Sequence, residues 1–216
     1  GYARGLGGAR GSFAALGAAF HVKHAPASEA RLTAYRELLL RWNERINLIS
    51  EHTAEAVDQR HIADCLQLAP LLPQDGPIGD LGSGAGLPGL VLAALAPERE
   101  VHLVEADRRK AAFLIEASAT LQLPKVRVHP LRIEKVKLPP LAAVTARALA
   151  PLVALLPHAE RFLAPGGVAI FPKGRNAEKE LTEAASGWHF TAERFASVTD
   201  PEATIFRLSD IHRAPK

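Results

Sequence analysis

The chain is poor in the residues that anchor chemistry most visibly. It holds one cysteine, Cys65, and no methionine. A single thiol forms no internal disulfide and fits a reducing compartment. Nine histidines are present, yet none pairs with cysteine at zinc spacing and no H-E-x-x-H occurs, so the common zinc sites are excluded. No apolar run approaches a membrane span, and no membrane partner is expected. Internal repeats are absent. Charge of either sign is not in large excess: the formal net charge is +3, which permits a nucleic-acid partner without pointing to one. What the chain does have is apolar substance. At 48% hydrophobic over 216 residues it can bury a full core, as one domain of ordinary size plus an extension.

Residues 1–27, rich in glycine and alanine, are expected to form a flexible tail. A secretory signal is disfavoured, because the apolar patch Phe13–Phe20 is short and diluted by Ala and Gly. With no methionine present, Gly1 is not expected to be the raw start of translation. Residues 28–73 read as an N-terminal helical extension. Ser28 is a candidate N-cap, followed by Leu32, Tyr35, Leu38, Leu39, Trp42 and Ile46 at helical spacing. A second helical segment is expected from about Glu55 to Leu72. The cluster Pro73-Gln74-Asp75-Gly76-Pro77 marks the boundary.

From residue 77 to 216 the pattern becomes strand, loop, helix, repeated. Strands are expected at 78–81, 101–104, 126–128, 141–145 and 168–171, with two more near 191–198 and 204–208. Helices are expected at 88–96, 108–121 and 151–163, the last closed by Pro165-Gly166-Gly167. This alternation predicts an α/β fold with a mostly parallel, Rossmann-like sheet of seven strands. The last two strands have no helix between them and should form an antiparallel hairpin at the sheet edge.

The first of these strands runs into Gly82-Ser83-Gly84-Ala85-Gly86-Leu87-Pro88-Gly89. Its Gly84-x-Gly86-x-x-Gly89 spacing suits close approach of a cofactor to the backbone, with the following helix N-terminus free to meet an anion. Glu105 lies 16 residues beyond Gly89, where an acid would grip a ribose diol. Both NAD and S-adenosylmethionine have such a ribose. Asp80 separates them: a carboxylate beside the loop would repel a pyrophosphate but suit the cationic amine and sulfonium of S-adenosylmethionine. The plainer reading is a helix-capping aspartate on a tight turn.

Several stretches together resemble one family. They are Arg41-Trp42-Asn43-x-x-Ile46-Asn47-Leu48, His61-Ile62-Ala63-Asp64, the loop from Asp80 to Gly89, Arg109-Lys110-x-x-Phe113-Leu114, Thr145-Ala146-Arg147-Ala148 and Lys173-Gly174. In these the chain is similar to the small-subunit rRNA guanine-N7 methyltransferases, also called glucose-inhibited division protein B, over about residues 30–210. The resemblance implies a class I methyltransferase fold. It implies methyl transfer from S-adenosylmethionine, leaving S-adenosylhomocysteine, to N7 of a guanine in the 530-loop region of bacterial 16S rRNA. The partner would be 16S rRNA or a small-subunit particle, the location cytoplasmic, the state monomeric. Cofactor contacts are implied at Gly82 and Leu87, at Ile133 and Glu134 after the third strand, and at Arg147 after the fourth; Asp80, Gly84, Gly86 and Glu105 complete the candidate set. Gly79 replaces a bulkier residue usual in the first strand, Cys65 stands where serine is common, and Leu131-Arg132-Ile133-Glu134 matches loosely.

The remaining residues suit that target. Exocyclic amine methylation calls for Asn-Pro-Pro-aromatic after the fourth strand; this chain has Thr145-Ala146-Arg147-Ala148. Pyrimidine carbon methylation needs a nucleophilic cysteine, and Cys65 lies upstream of the cofactor core, where a small buried apolar role fits better. Guanine N7 has a free lone pair and needs no base, so no catalytic base is expected and Arg147 would act by positioning. His61 and Asp64 share a helix face and either close the mouth over the RNA or form a local surface pair. Arg41, Arg45, Arg108, Arg109 and Lys110 are candidates for a phosphate track, with Lys173 and Arg175 the foremost. Two rivals remain open: an NAD-dependent Rossmann oxidoreductase, which predicts a helix between the last two strands, and a cofactor-binding RNA chaperone without turnover.

Overall fold

The computed structural model describes residues 25–50, 54 and 56–215. The expected tail of residues 1–24, and Glu55, lie outside the described residues. The described chain opens with α1 (Pro26–Asn43), so Pro26 and Ala27 are helical and not part of a tail. Ser28 is not the cap. Pro26 occupies the first turn, where its fixed φ suits helix entry, and Ser28 is buried two residues further in, its N–H donating to the Ala25 carbonyl at 2.8 Å. The expected second helix is three short pieces: a π-helical turn at Asp58–Ile62, α2 (Ala63–Leu66) and a 3₁₀ turn at Ala69–Leu71.

Seven strands follow: β1 (Ile78–Leu81), β2 (Val101–Val104), β3 (Val126–His129), β4 (Leu141–Thr145), β5 (Leu163–Lys173), β6 (Trp188–Ala196) and β7 (Thr204–Arg213). Four helices connect them: α3 (Gly89–Leu95), α4 (Arg108–Thr120), α5 (Leu152–Phe162) and α6 (Ala177–Ala185). The sheet order is β3-β2-β1-β4-β5-β7-β6, parallel from β3 to β5, with β7 antiparallel to both neighbours. No helix separates β6 from β7, against the expectation of the oxidoreductase rival.

Two differences from the sequence reading have local causes. Strand β5 starts earlier than expected, because Pro165-Gly166-Gly167 is absorbed as an irregularity: the β4 partner jumps from Leu163 to Val168 between Leu141 and Ala143. Helix α6 was not anticipated, although Ala177, Leu181 and Ala184 form a buried stripe at i, i+4 and i+7.

Side-chain alternation sorts the strands onto two cores. Ile78, Val101, Leu103, Ala143, Ile170 and Ile205 face a cluster that includes Leu32, Tyr35, Leu38, Leu39, Leu66, Leu90 and Phe113 from α1 to α4. Leu81, Val104, Val144, Phe171, Phe206 and Leu208 face Leu152, Leu155, Leu156, Leu181 and Ala184 of α5 and α6. The extension thus shares a core with the sheet. Trp42 packs against the first cluster, its ring edge-on to Phe113 at 5.7 Å, as a partly buried core residue. Tyr35 is fully buried, and its hydroxyl donates to the Ala85 carbonyl at 2.7 Å, tying α1 to the glycine loop.

Candidate functional site

The C-terminal ends of the parallel strands gather the functional candidates. In an open α/β sheet this is where ligands bind, beside the point at which strand order reverses; here that point lies between β1 and β4. The loop after β1 turns on positive φ at Gly82 (67°), Gly84 (54°) and Gly86 (81°), a region glycine enters at no steric cost. A Cβ at Gly84 would meet only the Gly82 carbonyl, at 3.9 Å, so the space before the loop is open and a side chain would fill it. Glu105 follows β2 and closes the other side. Its carboxylate accepts from the Gly84 N–H at 2.7 Å and from the Asp107 N–H at 2.9 Å. An open glycine cradle with an acid beside it fits the adenosine and methionine parts of S-adenosylmethionine. Ile133 and Glu134 form a turn just past β3, on the same edge as Glu105, with their carbonyls accepting from Arg161. Leu87 is buried in the core.

Asp80 is placed differently from expectation. Its carboxylate is 1% exposed and does not face the mouth. One oxygen accepts from the Thr145 hydroxyl at 2.8 Å, the other from the Gly89 N–H at 3.2 Å. The capping role that the sequence left as the plainer alternative is the one built. A Cβ at Gly89 would stand 2.7 Å from that second oxygen, so only glycine admits the carboxylate. Burial pushes the Asp80 carboxyl up to about 6, although bonds from Thr145, Ser83 and Gly89 pull the other way.

Beyond β4, three candidates do come together. Arg147 donates to Asp64 at 3.3 Å and reaches His61 Nδ1 at 3.0 Å. Burial, and next the Arg147 charge, holds the His61 imidazole down to about 4, with Asp64 opposing. His61 is therefore neutral near pH 7, and an Arg147 N–H donating to Nδ1 leaves the imidazole proton on Nε2. The Arg147 loop also crosses toward the cofactor cradle: Leu149 lies over Gly82, its methyl 2.5 Å from where a Cβ would stand. Cys65 is buried beside this cluster, and burial pushes its thiol up to about 12, which leaves it inert.

His61, Asp64, Arg147 and Leu149 line a cavity of about 1010 Å³, which runs from the π-helical turn across the β4 and β5 ends to the β6–β7 turn. The turn is the one the expected hairpin requires, but no site residue is expected there from the sequence. It is fastened to the extension by Gln67, which donates to Ser197 at 3.1 Å and to Thr199 at 3.2 Å and accepts from the Val198 N–H at 3.0 Å. Thr199 also donates to Asp64 at 2.8 Å. Lys173, expected as a phosphate contact, is committed within the protein. Its Nζ pairs with Glu180 at 2.9 Å and donates to the Ala150 carbonyl at 2.6 Å, with the side chain 9% exposed. Glu180 comes from α6, the helix that went unpredicted, which is why the pairing was not foreseen. Arg175 is exposed but pairs with Glu202 at 3.1 Å.

A seven-stranded sheet with this strand order, a glycine cradle after β1, an acid after β2 and a reversed β7 define a class I S-adenosylmethionine-dependent methyltransferase fold. Solved structures agree on the fold. Fibrillarin from Aeropyrum pernix, with natively bound S-adenosyl-L-methionine, superposes with a TM-score of 0.54 at 15% identity, covering 68% of this chain and 74% of that one. The N-methyltransferase NodS of Bradyrhizobium japonicum gives 0.55 at 14% identity, covering 76% and 99%. At the level of sequence, residues 28–205 match the family described as rRNA small subunit methyltransferase G. The ribosomal RNA small subunit methyltransferase G of Granulibacter bethesdensis is 53% identical over 184 residues, 85% of each chain. That of Rhodospirillum centenum is 53% identical over 182 residues, 84% of this chain and 83% of that one. The chain belongs to the rRNA small subunit methyltransferase G family.

Proposed function

We propose that the protein transfers a methyl group from S-adenosylmethionine to N7 of a guanine in 16S rRNA, by in-line displacement without a general base. Family membership supports the rRNA substrate. The observation that carries the finer reading is the commitment of His61, Asp64 and Asp80 to partners within the protein. His61, held near 4, is a weak base, and its Nδ1 lies against Arg147. Asp64 is paired with Arg147, and Asp80 is buried in its own hydrogen bonds. A target atom that carries no proton is the one such a site can serve.

S-adenosylmethionine, when bound, supplies a methyl group on a good leaving sulfur. The residues supply placement. Gly82 and Gly86 turn the loop through positive φ and Gly84 leaves its face open, so that the backbone could approach the cofactor, and Glu105 would accept from the ribose hydroxyls. Arg147, held by Asp64, presents its planar fork between cradle and cavity, where it can orient the guanine O6 edge. Leu149 helps exclude water from the mouth. Holding the two reactants in line converts the reaction to an effectively unimolecular one.

The test is transfer of labelled methyl from S-adenosylmethionine to protein-free 16S rRNA and to small-subunit particles, with 23S rRNA as comparison. Strand scission chemistry specific for N7-methylguanine then maps the product. Label in 16S rRNA at one scission site is expected. Binding of cofactor and RNA without transfer would favour the chaperone reading, and label at another atom would refute the N7 assignment.

A further inference from the structure

We propose that Arg60 is the phosphate anchor that holds the target strand of RNA at the cavity mouth. This rests on reading the cavity as the seat of the target nucleotide. Arg60 occupies the π-helical turn Asp58–Ile62, one residue before His61, and lines the cavity with its side chain exposed. Such turns are uncommon and concentrate at functional sites, where the extra residue re-aims neighbouring side chains. Here the turn brings Arg60 and His61 to the same opening.

Among the described residues, the other Arg and Lys side chains that line the cavity, and Arg175 near it in sequence, are already paired. Arg147 is held by Asp64, Lys173 by Glu180 and Arg175 by Glu202. Arg60, among the described residues, has no carboxylate within ion-pair distance. Its acidic neighbour in the turn, Asp58, is taken by Arg36 at 2.9 Å. The charge is also felt locally, since it contributes to the lowering at His61. Asp200 and Glu202 line the cavity from the β6–β7 turn, and Glu202 is spent on Arg175. A polyanion entering this cavity will run its backbone along the guanidinium that no carboxylate neutralises and away from Asp200. Arginine suits the task, because its fork meets two non-bridging phosphate oxygens at once.

The experiment measures the salt dependence of affinity for 16S rRNA in the full chain, for wild type, Arg60→Ala, Arg60→Lys and Arg127→Ala, the last a surface cation on β3. Arg60→Ala should bind more weakly and reduce the log–log slope by about 0.7, the value for one contact to a single strand. Arg60→Lys should restore the slope but not all of the affinity, having charge without the fork. Arg127→Ala should match wild type. In single-turnover methyl transfer, Arg60→Ala should raise the RNA concentration for half-maximal rate and leave the saturated rate nearly unchanged. S-adenosylhomocysteine affinity, expected unaltered, reports that the variant is folded. A wild-type slope in Arg60→Ala with intact cofactor binding overturns the proposal, as does a loss confined to the saturated rate. If wild type binds 16S rRNA but transfers no methyl, the functional reading fails while the slopes still decide the role of Arg60.

Discussion

Replacing Asp80 by asparagine should make the protein's stability less dependent on pH. The carboxylate is 1% exposed at the end of β1, and burial raises its folded-state value to about 6 from the ordinary 3.8. That difference is worth about 3 kcal/mol, at 1.36 kcal/mol per tenfold change. The sign follows from proton binding. Between the two values the folded chain holds a proton that the unfolded chain has released, so stability falls as pH rises through this window. It is greatest below about 4 and reaches a floor above about 6. About 2 kcal/mol of the loss should fall between pH 4 and 7. Asparagine can keep both contacts: its oxygen accepts from the Gly89 N–H, and its NH₂ donates to the Thr145 hydroxyl, which is an acceptor as well as a donor. Urea denaturation of both proteins at half-unit steps from pH 4 to 8 gives the difference in unfolding free energy. That difference should move by about 2 kcal/mol in favour of the asparagine variant as pH rises. A difference independent of pH would refute a raised Asp80 and, with it, the account of a charge held against burial.

Other outcomes are equally specific. Glu105→Ala should weaken S-adenosylhomocysteine binding by about 1.5–3 kcal/mol in calorimetry, with saturated turnover less affected; an unchanged constant would remove Glu105 from the cofactor site. Lys173→Ala should cost about 2–3 kcal/mol of stability, somewhat below the roughly 3–5 for a fully buried pair, because Glu180 keeps 23% of its side-chain surface; its RNA salt slope should match wild type. With His61 held near 4, the single-turnover rate should be flat from about pH 6.5 to 8.5 and stay flat in His61→Gln. A tenfold rise per pH unit that disappears in the variant would show a base at work. Tyr35→Phe leaves the Ala85 carbonyl without its donor and should cost about 1–3 kcal/mol by thermal denaturation, with a loss of cofactor affinity alongside.

Local pattern carried much of this fold. The glycine loop, Glu105 after β2 and the hairpin without a helix all announce themselves within a few residues of sequence, because strand, turn and helix each impose their own period. Partnerships across distance did not. Asp80 reads the same whether it faces a cofactor or caps α3; only the approach of Thr145 from β4 decides it. Lys173 reads as free in the sequence because its partner Glu180 lies on a helix that the sequence reading does not include. Arg60 drew no notice, since its significance depends on where every nearby carboxylate is spent. The joining of His61, Asp64 and Arg147 followed from their motifs only as a shared region; their hydrogen bonds required the fold.

The fastening of Asp64 and Gln67 to Ser197 and Thr199 has a consequence for synthesis. These contacts join positions 130 to 135 residues apart. A growing chain exposes the glycine loop and Glu105 early, when β6 and β7 have not left the ribosome. The residues of the glycine loop and Glu105 are therefore made before the last wall of the cavity. The cavity is completed only with the final hairpin, since Ser197, Thr199, Asp200 and Glu202, which line it, are among the last residues made.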